Sequence, residues 1–203
     1  MLSWVILEYK FMEKVLLLIM TLGYFFLQLF WFFMDSRSVK EKVRFYILLK
    51  GNVCSRIISF GLALFILIKF ISPSWMFSVH FNSVALNTFL SVGGVSLYSI
   101  GMILCVWARL AMYDAWTPAE EKSIKHKRDL ITHGPFSFIR NPIYLGLLMI
   151  YLGFFIAMRS YLIVMVLFIV WFFYKKALEE EKTLEKNFGS DYIKYKSKVR
   201  RFI

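Results

Sequence analysis

Cysteine is scarce in this chain: Cys54 and Cys105 are the two present, and each lies inside an apolar run. Two thiols placed in hydrocarbon do not make a disulfide framework. Histidine is nearly as rare, and His80, His126 and His133 have no metal-ligand spacing and no cysteine partner, so no metal site is expected. Acidic residues number 13 against 25 Lys and Arg, a formal charge of +12. Such a balance often marks a nucleic-acid binder, but these cations cluster between apolar runs, so membrane lipids are the expected partner and nucleic acid is not. The ordered basic, apolar and small-residue segments of a removable signal peptide are not seen either. Nor is any internal repeat.

Hydrophobic residues, by contrast, make up 59% of the 203 residues and aromatics 19%, with a mean hydropathy of +0.62. That excludes an ordinary soluble domain and predicts an all-α polytopic membrane protein. Runs long enough to cross a bilayer occupy residues 15–34, 53–72 and 84–112. Two shorter runs follow at 143–158 and 161–171, parted only by Arg159-Ser160, which predicts a tight helical hairpin. The expectation is about five transmembrane helices, the last two a hairpin, with short cytoplasmic helices beside them. Arg37, Lys40, Lys42, Arg44 and Lys50 follow the first run, none follow the second within 73–82, and Lys122, Lys125, Lys127, Arg128 and Arg140 follow the third. The hairpin tip carries Arg159 alone, and the tail is rich in lysine. By the positive-inside rule the N-terminus is expected outside, and the polar loop and the C-terminus in the cytoplasm, where the cations also favour anionic headgroups.

The chain divides by character into N-terminal transmembrane helices at 1–112 and a polar, chemistry-bearing part at 113–203. In the third run Gly94, Gly101, Cys105 and Ala108 follow at spacings of seven, four and three, a stripe of small residues on one helix face that lets another backbone approach. Thr117-Pro118-Ala119-Glu120 reads as a capping box with proline at the first helical position and predicts a short helix near 118–126. Gly134-Pro135 marks a turn. Asn141-Pro142 repeats the helix-start device, which sets the positive end of the fourth span at the interface as a place for an anionic group. The fifth span is predicted to run on to about Phe188, with Ala177, Leu184 and Phe188 on one apolar stripe, Glu180 and Glu181 flanking it, and Glu179 pointing away. Gly189 is its natural cap. The following helix, with Tyr192 and Tyr195 among lysines, is expected along the membrane surface.

Carboxylates near the membrane are costly unless they face a partner or a polar cavity. Two readings of Glu180 and Glu181 are open: pairing with Lys175, Lys176 or Arg140, or holding the hydroxyls and ammonium of a polar ligand. Arg140 reads as a snorkelling cation or an anion site, Tyr144 as an interfacial aromatic or a site residue, Gly146 as packing or a close approach, and Trp116 as a headgroup anchor.

Several elements together resemble the isoprenylcysteine carboxyl methyltransferase family, its bacterial and archaeal relatives, and the related phospholipid N-methyltransferases. They are Trp116-Thr117-Pro118, Leu130-Ile131-Thr132-His133-Gly134-Pro135-Phe136, Arg140-Asn141-Pro142-Ile143-Tyr144-Leu145-Gly146, Glu180-Glu181-Lys182-Thr183-Leu184, Phe188-Gly189 and Asp191-Tyr192-Ile193-Lys194-Tyr195. The resemblance covers about residues 113–200. It implies an integral-membrane enzyme using S-adenosyl-L-methionine. By matching positions it implies a cofactor site of Leu130, Ile131, Gly134, Phe136, Asn141, Pro142, Tyr144, Glu180 and Glu181, with Arg140 and Tyr144 in catalytic positions near the methyl acceptor. Departures from the family pattern stand at Asn141 (commonly His), Arg128 (often His), Lys176 (an Arg) and Phe136 (a Tyr). The Gly-rich strand–helix loop of soluble methyltransferases is absent, and Gly93-Gly94 inside a span does not replace it.

The expected function is therefore methyl transfer to a lipophilic acceptor drawn from the bilayer: an isoprenylcysteine-like carboxylate, a phospholipid amine, or a small lipophilic thiol or phenol. Two other classes compete: an NADPH-dependent reductase of the sterol-reductase type, with a similar Arg-His-Pro signature, and a non-enzymatic membrane scaffold.

Overall fold

The structure is a computed structural model that describes residues 2–38, 79, 81–112 and 130–202. The expected span at 53–72, the helix near 118–126 with its capping box, and Trp116 lie outside the described residues. The described residues form helices and contain no β-strand beyond one isolated bridge. Three helices are long and apolar enough to cross a bilayer, Phe11–Met34, Val84–Ala111 and Tyr161–Phe188, and Pro142–Ala157 is a shorter apolar helix. The protein is an all-α membrane protein.

Helix α1 (Leu2–Ser38) belongs to the first of two compact units. It continues without a break past Glu8, Lys10, Glu13 and Lys14, since straight-chain charged residues are good helix formers. Leu17, Met20, Tyr24 and Leu27 form its buried stripe, while Leu18, Leu22, Phe25 and Phe26 are exposed, as a lipid-facing surface requires.

The second unit begins at Ser83 and contains everything that builds the site. Ser83 caps α2 (Val84–Ala111), its hydroxyl accepting from the Leu86 N–H at 3.3 Å. Helix α3 (Pro142–Ala157) lies along α2 on the stripe of small residues. A Cβ placed on Gly153 would stand 2.5 Å from the Tyr98 N and 2.6 Å from the Gly94 carbonyl oxygen. One on Gly146 would stand 2.6 Å from the Cys105 Sγ, and one on Gly101 would stand 2.6 Å from the Gly146 carbonyl oxygen. The two backbones touch because both helices drop their side chains along the contact. In hydrocarbon, where burial of apolar surface does not drive association, dispersion across such a contact does.

Helix α3 has 16 residues, about 24 Å at the helical rise, short of the roughly 30 Å hydrocarbon core. The chain reverses through Arg159, whose φ is 48°, and a 3-10 turn (Tyr161–Val164) before α4 (Met165–Phe188). This is the expected hairpin, with one difference at its tip. Arg159 is not an exposed marker of orientation: it is buried, and its Nη1 donates to the Asn87 carbonyl oxygen at 3.3 Å and the Ser91 Oγ at 2.9 Å. The guanidinium thus ties the tip to the first turns of α2.

Along α4 the buried residues are Val166, Ile169, Phe173, Ala177 and Glu181, a single helical stripe that begins apolar and ends on a carboxylate. Leu167, Phe168 and Trp171 face outward. Gly189, with φ 53°, ends the helix in a backbone conformation that L side chains rarely adopt, and its N–H donates to the Glu185 carbonyl oxygen at 2.9 Å. Helix α5 (Ser190–Lys198) follows. Its inner side is made by Tyr192 and Tyr195, both buried, and the lysines take the outer side. Past α5 the chain extends through Arg200 and Arg201 to run parallel to Ile139–Asn141. The Arg140 N–H donates to the Arg200 carbonyl oxygen at 2.8 Å, and the Asn141 N–H to the Arg201 carbonyl oxygen at 3.3 Å.

Candidate active site

Three polar segments meet at one end of the α2–α5 unit: the turn at 134–137, the start of α3 and the acidic end of α4. Gly134 opens the turn with φ 60°. A Cβ there would come within 3.2 Å of the Ala111 Cβ and 3.6 Å of the Trp107 Nε1, so the turn is seated on the last turn of α2. The 3-10 helix Gly134–Ser137 follows, with Pro135 and Phe136 buried. The Phe136 carbonyl oxygen accepts a hydrogen bond from the Tyr195 hydroxyl at 2.7 Å, which fixes the turn to α5. Burial pushes the Tyr195 phenol up to about 12, so it keeps the proton it donates. Leu130 and Ile131 lead into this turn half-buried.

Pro142 is the first residue of α3 and is fully buried. Asn141 holds the cap position, but its side chain does not cap. Its Nδ2 instead donates to the Glu181 Oε1 at 3.1 Å. The Arg140 Nη1 donates to the Glu181 Oε2 at 3.1 Å. Arg201 completes the set: its Nε lies 2.8 Å from Oε1 and its Nη2 3.0 Å from Oε2, a two-pronged grip on one carboxylate. Glu181, only 3% exposed, is therefore held by three side chains. Burial disfavours its charge, while two guanidiniums and an amide offset that cost. Tyr174 supports Arg201 through its hydroxyl, 3.2 Å from Nη1, and through its ring, whose centroid is 5.3 Å from the guanidinium carbon.

Glu180 has a different environment. It is exposed, and it forms no ion pair with any described residue. Its carboxylate interacts with the Tyr144 hydroxyl. The Tyr144 ring in turn stacks on Phe173, with centroids 5.3 Å apart and planes 25° from parallel. Glu179, as expected, points away and pairs with Lys176 at 2.9 Å.

The structure thus brings together Arg140, Asn141, Pro142 and Glu181 in one hydrogen-bonded cluster, Tyr144 and Glu180 in a neighbouring pair, and Gly134 with Phe136 in the turn fastened to α5. The pairing reading holds for Glu181, an ion-pair partner of Arg140, whereas Glu180 pairs with no cation among the described residues. Sequence reasoning missed Arg201 and Tyr174, and it did not say which side of α5 carries Tyr192 and Tyr195. Arg201 looks no different from the exposed Arg200 in a basic tail, and no local pattern sets it apart.

The family model of the phospholipid methyltransferases, PEMT, matches residues 89–191, just over half of the chain. The chain belongs to this family. The match begins within α2, earlier than the resemblance read at 113–200, and reaches the first turn of α5, so it takes in the turn, the start of α3 and both glutamates. No curated protein matches the chain. Membership together with the apolar helices makes the protein a membrane methyltransferase.

Proposed function

We propose that the protein transfers a methyl group from S-adenosyl-L-methionine to a lipophilic, anionic acceptor that enters from the bilayer. The observation that carries this reading is the Glu180–Tyr144 pair set beside the Glu181 cluster at the start of α3. The donor set suits the cofactor. A sulfonium and an ammonium call for a carboxylate not already neutralised, and Glu180 is one. An adenine calls for aromatic faces, and the Tyr144–Phe173 stack offers them. When bound, the cofactor supplies a methyl already activated by its positive sulfur, so the protein need provide neither an acid nor a nucleophile.

The remaining work falls to the chain's own residues. Glu180 and Tyr144 hold the donor's polar groups. The turn 130–136, fastened by Tyr195, closes one side. Glu181 holds Arg140 and Asn141 in place at the head of α3. Two guanidiniums against one carboxylate leave the cluster with a surplus positive charge, which favours an acceptor carrying a carboxylate or phosphate. The Tyr192 hydroxyl stands beside the Arg140 guanidinium, and neither it nor the Arg140 Nε has an aligned hydrogen-bond partner among the described residues, so an oxygen-rich group reaching them would engage both. Alignment of donor and acceptor can lower a barrier by roughly 7–11 kcal/mol at best, so positioning is sufficient catalysis for this reaction. In the membrane, the Lys/Arg asymmetry supports an N-terminus outside and the site on the cytoplasmic side, with membrane lipids around the helices and neither metal nor nucleic acid required.

Isothermal titration of the purified protein tests donor choice: binding of S-adenosyl-L-methionine and not NADPH is expected, and the reverse would overturn the reading. Glu180→Gln is expected to abolish donor binding with the thermal unfolding midpoint unchanged. Transfer of radiolabelled methyl into host membrane extracts, with identification of the labelled species, then separates a prenylated carboxylate from a phospholipid amine or a small phenol.

A further inference from the structure

We propose that Arg201 is a positioning residue of the active site: by gripping Glu181 it sets the rotation of α4 that brings Glu180 to Tyr144. The inference rests on the proposed donor site. Three independent contacts place Arg201 at this joint. Its backbone pairs with the strand-like approach to α3, through the hydrogen bond from the Asn141 N–H. Its Nε and Nη2 take both oxygens of Glu181, at 2.8 and 3.0 Å. Its third nitrogen and its guanidinium face engage Tyr174, two helical turns earlier on α4. One side chain therefore fixes α4 at two points along its length, and its own main chain is fastened to the residues that head α3.

The consequence for Glu180 follows from helix geometry. Adjacent residues on a helix are about 100° apart, so a carboxylate held at 181 dictates where the one at 180 points. Arg140 and Asn141 also hold Glu181, but both come from the α3 side and contact it through one nitrogen each. Arg201 alone among these partners also holds α4 at a second position, so it resists rotation and tilt where the other two do not. A lysine cannot take its place, because an ammonium lacks the planar fork that spans both carboxylate oxygens while a further nitrogen reaches Tyr174.

The test compares wild type with Arg201→Ala, Arg201→Lys and Arg201→Gln in the full chain, using two measurements. Hydrogen–deuterium exchange requires no donor. Arg201→Ala is expected to raise exchange at the amides of Arg140 and Asn141 and in the 176–184 turns of α4, while the α2–α3 contact stays protected. Donor titration, run well below the lowered unfolding midpoint of the variant, is expected to weaken about tenfold or more in Arg201→Ala, with Arg201→Lys recovering only part. Unaltered exchange in Arg201→Ala overturns the inference whatever the donor result. So does unweakened donor affinity alongside a lowered midpoint, which is the pattern of a residue that only stabilises. Wild type that shows the expected exchange difference but binds no S-adenosyl-L-methionine instead refutes the proposed function, leaving the Arg201 joint as a structural result without its catalytic meaning and the positioning role overturned.

Discussion

Gly93 and Gly94 are neighbours on one helix, and the structure assigns them opposite responses to the same substitution. A methyl on Gly93 meets nothing within 4 Å. Gly93→Ala therefore only removes backbone freedom and is expected to be neutral or to stabilise by roughly 0.5–1 kcal/mol. A methyl on Gly94 meets the Ala157 backbone nitrogen and stands 2.7 Å from the Gly153 carbonyl oxygen. Ordinary van der Waals contact begins near 3.4 Å, so α2 and α3 must part by the better part of an ångström. The blocking atoms are main chain and cannot rotate away, which puts the cost at the upper end of the usual range for overpacking, about 1–3 kcal/mol. Parting the helices also loosens the Gly101–Gly146 contact further along. The two variants should therefore differ by about 2–4 kcal/mol, or on the order of 10 °C in unfolding midpoint for a chain of this size. Intrinsic tryptophan fluorescence followed through thermal unfolding in detergent or lipid nanodiscs reads this directly. Gly153→Ala should behave like Gly94→Ala, and the double variant should cost less than the sum, because both methyls demand the same opening. Equal midpoints for Gly93→Ala and Gly94→Ala would show that the two helices do not meet on the glycine stripe, and the packing described here would be wrong.

Glu181→Ala leaves two half-buried guanidiniums without their shared carboxylate, and is expected to lower stability by about 1–3 kcal/mol in chemical denaturation, whereas Glu180→Gln should leave the denaturation curve in place. Tyr192→Phe removes a hydroxyl that lies beside Arg140 with no aligned hydrogen bond among the described residues; stability should change little while acceptor KM rises, and a large fall in stability would contradict the assigned geometry. Tyr195→Phe removes the donor to Phe136 and should destabilise by roughly 1–3 kcal/mol near neutral pH. Because the folded Tyr195 phenol is raised to about 12 by burial, its contribution is complete below about pH 10 and is lost as pH climbs toward 12. The stability gap between wild type and Tyr195→Phe should narrow over that interval, and a gap that widened there would reverse the sign of the assignment. Ser91→Ala removes one acceptor from the buried Arg159 and should cost about 1 kcal/mol in the same unfolding assay.

The apolar runs that fall within the described residues, the hairpin and the small-residue stripe were legible in the sequence because each depends on local spacing. A helix places residues at intervals of three, four and seven on one side wherever it occurs, so Gly94, Gly101, Cys105 and Ala108 declare a contact face before its partner is known. The Asn141-Pro142 start and the acidic end of α4 were legible for the same reason, as was the family to which their order points. What no local pattern contains is which charges meet. Glu180 and Glu181 are adjacent and chemically identical, yet one is buried under three donors and the other is open beside Tyr144. That difference arises from the rotation of α4 against α3. Arg200 and Arg201 differ only in which of them the returning chain turns inward, a choice made when the segment after α5 pairs with Ile139–Asn141. Burial of Tyr192 and Tyr195 has the same origin: the lysines around them read as surface, but α5 has two sides, and only its packing against the 134–137 turn decides which one is inside. Composition and periodicity depend on neighbours along the chain, whereas ion pairs among residues 140, 181 and 201 depend on distances that exist only once the chain has closed on itself.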